Sequence, residues 1–162
     1  IFSLKSKEEI ETLIHQHQES QHLRLLQNSL AEEITARVHS KSDLEIAKKA
    51  SQILFGKSTQ EDLSTLEEEW LLQVLESVPK VKISRSVYAS LSSVTELLTE
   101  ATEGLIFASK GEARRLIQGG GVSINKQKIH TPDAPVDFLL LNNKYILAQK
   151  GKKNYYLVIV EG

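Results

Sequence analysis

Cysteine and methionine are absent from the 162 residues, and proline occurs only 3 times and glycine 8 times. Without cysteine there is no disulfide framework, no thiolate metal site and no cysteine nucleophile, which is compatible with a reducing compartment. The scarcity of proline and glycine excludes a collagen-like or low-complexity chain. No apolar run approaches the roughly 20 residues that cross a bilayer. The longest, residues 138–141 and 155–160, are strand-sized, so no membrane partner is expected. The opening Ile1-Phe2-Ser3-Leu4 has neither the charged nor the apolar region of a signal peptide. With no initiating methionine, the sequence reads as a piece of a longer protein. What is present suffices for a core: 40% of residues are hydrophobic and 25% charged, with a net charge of −1.

That near-neutral total conceals a division. Residues 1–108 carry a net charge of −6 and residues 109–162 a net of +5. A small basic unit at the end of an acidic chain points to a polyanion-binding module joined to something else, because a field of that sign concentrates nucleic acid.

The first part is patterned for helices. Ser6 and Glu9 form a capping box ahead of Ile10, Leu13 and Ile14, predicting a helix over 7–18. From His22, Leu23, Leu26, Leu30, Ile34 and Val38 recur mostly every three or four residues, predicting a long amphipathic helix ending near His39. Ser42 and Glu45 open a third helix, over 43–55. A fourth is expected over 65–77, with Glu67, Glu68 and Glu69 at the positive end of its dipole and Pro79 as its stop. Residues 81–103 are Ser-rich and read as a linker with one short extended piece and a short helix opened by Ser93 and Glu96.

The last part changes character. Ser109 and Glu112 are another capping box, and Ala113, Leu116 and Ile117 share one helical face while Arg114, Arg115 and Gln118 lie elsewhere. Gly119, Gly120 and Gly121 end that helix. Residues 122–124 and 128–129 flank Asn125-Lys126 as a tight hairpin, and 139–141, 145–149 and 155–160 are predicted as three further strands. The last two are joined by the basic turn Lys150-Gly151-Lys152-Lys153-Asn154. The fold class expected is α+β, a helical bundle segment followed by a small domain of one helix and an antiparallel sheet. Its chemistry is phosphate contact. Lys110 starts a helix whose free amides favour anions, and Arg114 and Arg115 offer planar forks. Lys126, Lys128, Lys150, Lys152 and Lys153 add mobile point charges. Gln118 and Asn125 complete a candidate RNA-binding set, and Tyr155 is free to stack on a base if Tyr156, on the opposite strand face, packs inside. Taken singly, each Lys or Arg reads as a solvated surface charge; taken together they do not.

Residues 109–118, Ser-Lys-Gly-Glu-Ala-Arg-Arg-Leu-Ile-Gln, followed by Gly121-Val122-Ser123-Ile124-Asn125, resemble the alpha-L RNA-binding motif. That motif occurs in a small-subunit ribosomal protein, in pseudouridine synthases and at the end of bacterial tyrosyl-tRNA synthetases. Leu30-Ala31-Glu32-Glu33-Ile34-Thr35-Ala36-Arg37-Val38-His39 resembles the long helix of the anticodon-binding domain of the synthetases, residues 47–56 the helix after it, and residues 150–157 their last hairpin. The resemblance implies that residues 1–80 are part of the helical anticodon-binding domain, 81–103 a linker, and 104–162 the alpha-L domain. It also implies a partner, tyrosine tRNA, held by its long variable arm and anticodon region. The parent would be a cytoplasmic class I ligase, a homodimer through a catalytic domain that uses ATP and Mg. Neither a His-x-Gly-His nor a Lys-Met-Ser-Lys-Ser signature occurs here, so this chain is expected to be a catalytically inactive monomer holding no cofactor. Two other readings stay open at this point: an alpha-L accessory protein or RNA-modification enzyme, and a helical protein-interaction scaffold with an incidental basic tail.

Other signals point elsewhere. His15, His17 and His22 are spaced by two and five, not by the three or four that share a helical face, so no metal site is expected. Trp70, amid Leu71, Leu72, Val74 and Leu75, reads as core.

Overall fold

The computed structural model describes residues 3–56 and 59–162, and the chain divides into two compact units, residues 1–49 and 50–162. The architecture is α+β. In the first unit, α1 (Lys7–Glu19) is held by the predicted capping box, with the Ser6 hydroxyl accepting from the Glu9 amide and the Glu9 carboxylate accepting from the Ser6 amide. The next helix begins later than its apolar pattern suggests. Residues Gln21–Leu23 form a single 3₁₀ turn, Arg24 adopts a left-handed conformation (φ 53°), and α2 runs over Leu25–Val38. Glu33 ties the chain before α1 to α2 by accepting from the Ser3 hydroxyl and the Leu4 amide. Helix α3 (Lys41–Phe55) crosses from the first unit into the second. None of the described residues 3–49 is buried, and Leu23, Leu30, Ile34 and Val38 are exposed.

The second unit is organised around a five-stranded mixed sheet. Its strands are β1 (Lys80–Ser84), β2 (Val122–Ile124), β3 (Gln127–Ile129), β4 (Tyr145–Lys150) and β5 (Asn154–Glu161), in the spatial order β1-β5-β4-β2-β3. All pairings are antiparallel except that β1 lies parallel to β5, with Lys80 opposite Leu157 and Ser84 opposite Glu161. Alternate residues of a strand face opposite sides, and here both sides are covered. Val158 and Val160 of β5, Ile146 and Ala148 of β4, and Val122 and Ile124 of β2 enter one core with Ala113 and Ile117 of α8 (Lys110–Gln118). Val94, Leu97 and Leu98 of α7 (Val94–Leu98) complete it. Tyr155, Leu157 and Ile159 of β5 and Tyr145 and Leu147 of β4 enter a second core, roofed by α4 (Gln60–Ser64) and α5 (Glu68–Val74) through Leu63, Leu71 and Val74.

Five expectations are corrected by this arrangement. The segment 81–103 is no linker: its expected extended piece is strand β1 and its expected short helix is α7, helix α6 (Arg85–Ser90) lies between them, and Ile83, Val94, Leu97 and Leu98 are core residues. Nor do residues 59–80 go with the helices before them, because α4 and α5 cover one face of the sheet and the division between units falls at residue 49. The helix expected over 65–77 is shorter, since Glu67 is extended (ψ 147°) and α5 runs only from Glu68 to Val74, and a separate short helix, α4, precedes it outside the expected range. Residues 139–141 make no strand. Asn142 and Asn143 both adopt left-handed conformations (φ 49° and 56°), reversing the chain so that Leu141 pairs only with Tyr145 across a tight turn. Trp70 is half-buried instead of lying in the core.

Helix α8 ends as its glycines require. The Gly120 amide donates to the Ile117 carbonyl and the Gly121 amide to the Leu116 carbonyl, a Schellman closure with Gly120 at φ 68°. A Cβ on Gly121 would lie 2.7 Å from the Leu116 side chain.

If α5 belongs to the sheet unit, Leu71→Ala, at a fully buried position, costs about 2–5 kcal/mol in the unfolding of that unit. Hydrogen exchange of the β5 amides checks this, and should show their protection falling with that of α5.

Candidate nucleic-acid interface

Helix α8 presents its polar side to solvent. Its hydroxyl cap, Ser109, accepts from the Glu112 amide, leaving Lys110 in the first turn and Arg114 one turn on, about 6 Å along the axis. Arg115 and Gln118 are also exposed on this helix. At its far end two hydrogen bonds bring other basic elements alongside. The Gly151 amide, in the turn between β4 and β5, donates to the Gly121 carbonyl at 2.7 Å, and the Lys128 ammonium donates to the Gly120 carbonyl at 2.8 Å. The exposed Lys152 and Lys153 therefore sit on a turn anchored to the end of α8.

Lys110, Arg114, Arg115, Gln118, Lys128, Lys152 and Lys153 are thus exposed on adjoining elements as expected. Among the described residues, no carboxylate lies within ion-pair distance of Arg115, Lys152 or Lys153. Lys110 and Arg114 do have partners, Glu100 at 2.8 Å and Asp133 at 3.1 Å.

The remaining four candidates are internal parts. Asn125 is 1% exposed, its Nδ2 donating to the Leu139 carbonyl and its Oδ1 accepting from the Leu147 amide, both at 2.8 Å. It holds the hairpin turn, where Asn125 and Lys126 are both left-handed (φ 47° and 69°), against β4. Tyr155 faces the second core and is 7% exposed. Its hydroxyl accepts from the Lys126 ammonium at 3.2 Å, which also lies 4.9 Å from the ring centre. Burial lowers the Lys126 pKa and raises that of Tyr155. Lys150 is committed three ways: to Glu112 at 2.7 Å, to the Ile106 carbonyl at 3.0 Å and to the face of Phe107 at 4.3 Å. It locks β4 to the start of α8, and its ammonium holds the Glu112 carboxyl below the ordinary value of 4.5. The ladder register could have flagged Asn125, since a turn asparagine beside a central strand has backbone groups to satisfy. Nothing in the sequence marks Glu100 and Asp133.

Opposite this surface the charge reverses. Residues 59–78, which contain α4 and α5, carry six acidic and no basic side chains. Glu68 there accepts a short hydrogen bond from the Tyr145 hydroxyl, and burial together with this carboxylate pushes the phenol up to about 12. One sheet face is therefore roofed by acidic helices and the other by the cationic helix. Among the described residues no three His, Asp or Glu side chains are grouped to hold a metal ion, and no helix is long and apolar enough to cross a membrane.

The sheet unit thus carries exposed cations on one helix and a neighbouring turn, and acidic helices on its other face. The chain belongs to the family described as tyrosine--tRNA ligase SYY-like C-terminal domain, which it matches over residues 71–158. It is 56% identical over 158 residues to a tyrosine--tRNA ligase of Cytophaga hutchinsonii, covering 98% of this chain and 37% of that protein. It is 48% identical to those of Bacteroides thetaiotaomicron and Porphyromonas gingivalis over 162 residues, 99% of this chain and 37% of each relative. The chain thus spans little more than a third of the length of these relatives, and the family match begins at Leu71 in α5.

Two outcomes follow from the internal residues. Asn125→Ala strands the buried Leu147 amide, takes a donor from the part-buried Leu139 carbonyl and places alanine at positive φ, costing about 3 kcal/mol, whereas Lys152→Ala stays within about 0.5 kcal/mol; urea unfolding separates them. A carboxyl with a depressed folded pKa stabilises above its unfolded pKa and loses that contribution as pH falls through the folded value. The Tm advantage of the parent over Glu112→Gln is therefore present at neutral pH and shrinks below about pH 4.5, as calorimetry at stepped pH would show.

Proposed function

We propose that this chain is the tRNA-gripping C-terminal portion of a tyrosine–tRNA ligase. The observation that carries the reading is the run of exposed cations on α8 and on the β4–β5 turn, fastened side by side through Gly121 and Gly151. The family membership supports tRNA as the ligand of that run. In this proposal the sheet unit holds the long variable arm of tyrosine tRNA, with Arg115, Lys152 and Lys153 meeting backbone phosphates directly and Lys110 and Arg114 joining after they leave their carboxylates. The helices of the first unit lie by the anticodon region. Activation of tyrosine with ATP and Mg belongs to the catalytic part of a cytoplasmic, homodimeric parent enzyme, and no residue of this chain is assigned to it. Alone, the chain is monomeric and inactive in adenylation. Its contribution to the parent is to spend contacts far from the reacting end on orienting the substrate, so that removing it lowers turnover as well as affinity.

The test is a salt series of binding to tyrosine tRNA with and without its long arm, repeated with Lys110→Ala, Arg114→Ala and Arg115→Ala combined. The expected result is weaker binding without the arm, and a salt slope flatter by roughly 0.7 to 0.9 for each phosphate that the triple variant no longer neutralises. Binding indifferent to both the arm and the substitutions would overturn the proposal and favour a scaffold whose basic surface is incidental.

A further inference from the structure

Two of the cations on α8 are not presented bare. Lys110 is paired to Glu100, from the connection between α7 and α8, and Arg114 to Asp133, from the connection between β3 and β4. Both acids come from outside the helix, and both sit on cations one helical turn apart. Neither pair is a structural lock like Lys150–Glu112. The Glu100 and Asp133 side chains are 65% and 70% exposed, and their partners 45% and 53%. Exposed pairs of this kind contribute little to folding, so their placement calls for another account.

We infer that Glu100 and Asp133 are discriminating residues of the RNA surface: carboxylates that occupy Lys110 and Arg114 in the free chain and oppose any polyanion that does not accommodate them. The inference rests on the RNA-binding reading above. A phosphate reaching Lys110 or Arg114 must displace a carboxylate, which then remains beside it as a like charge. A flexible single strand binds almost wholly through phosphate neutralisation, so it bears this opposition in full. A folded RNA of the right shape can turn the displaced carboxylates to use, because they accept hydrogen bonds from 2′-hydroxyls and exocyclic amino groups, and a carboxylate is among the groups that read cytosine N4. The two acids therefore weaken indiscriminate binding more than fitted binding. Arg115, Lys152 and Lys153 have no carboxylate within ion-pair distance among the described residues and supply the rest of the attraction.

The experiment compares the 162-residue chain with Glu100→Gln/Asp133→Asn, measuring affinity for poly(U) and for tyrosine tRNA between about 50 and 200 mM salt. The expected result is a gain of about three- to tenfold for poly(U) with a steeper salt slope, and a smaller gain or a loss for the tRNA, so that the preference for tRNA falls. Thermal unfolding should be unchanged, since both pairs are exposed. An unchanged poly(U) affinity and slope, or an equal gain for both RNAs, overturns the inference while leaving the RNA-binding reading intact. Salt-independent or undetectable tRNA binding by the parent chain overturns that reading, and this inference with it.

Discussion

Strand β5 is the element on which the second unit depends. It lies between β1 and β4, and its side chains alternate between two cores, Tyr155, Leu157 and Ile159 to one side and Val158 and Val160 to the other. A strand with only one covered face would have left a hydrophobic side in water. Here the dyad period of a single strand obliges helices to sit on both faces, and the chain answers with α4 and α5 on one and α7 and α8 on the other. The position of the cationic helix follows from that demand. Ala113 and Ile117 point into the sheet because Val158 and Val160 need covering, so the remaining side of α8 is turned to solvent with Arg114, Arg115 and Gln118 on it.

Much of this was legible in the sequence where local chemistry decides structure. The Ser6–Glu9 box, the Ser109 cap, the glycine stop after Gln118 and the Asn125-Lys126 hairpin are all visible as short patterns, and all form. What was not legible is what depends on distant pairing. The short extended piece expected after Pro79 forms as β1, but its place beside β5 was not legible, because an edge strand needs few apolar residues when Ile83 is buried and Val81 only partly so. The stripe of α5 announces a helix but not its destination. Residues 139–141 have the composition of a strand, yet two left-handed asparagines make a turn worth more than a ladder.

The candidate site was legible by type and misjudged by role. The eleven candidates share a capacity to touch RNA, ten through polar contacts and Tyr155 by stacking, but a lysine's job is set by what surrounds its ammonium. Lys150 lies between Glu112, a carbonyl oxygen and an aromatic face, and acts as an internal rivet; Lys153, three residues on, is exposed. Periodicity cannot separate them, because both fall in one short basic run, although Lys150 ends β4 and Lys153 lies in the turn after it. Asn125 shows the same limit from the other direction, since its amide is wholly consumed by Leu139 and Leu147 and none of it faces solvent.

The acid roof on one face of the sheet and the cationic helix on the other have a consequence for motion before contact. Residues 50–162 hold 13 basic and 13 acidic side chains, so this unit has no net charge on which a distant polyanion could pull. Near such a polymer the field is uneven, and a neutral body with separated charge feels mainly a torque. The unit would be turned before it is drawn in, arriving with α8 foremost. Within a Debye length of roughly 8 Å at physiological salt, Arg115, Lys152 and Lys153, which lack ion-pair partners among the described residues, would be felt ahead of the acids behind the sheet, and rotation would give way to attraction.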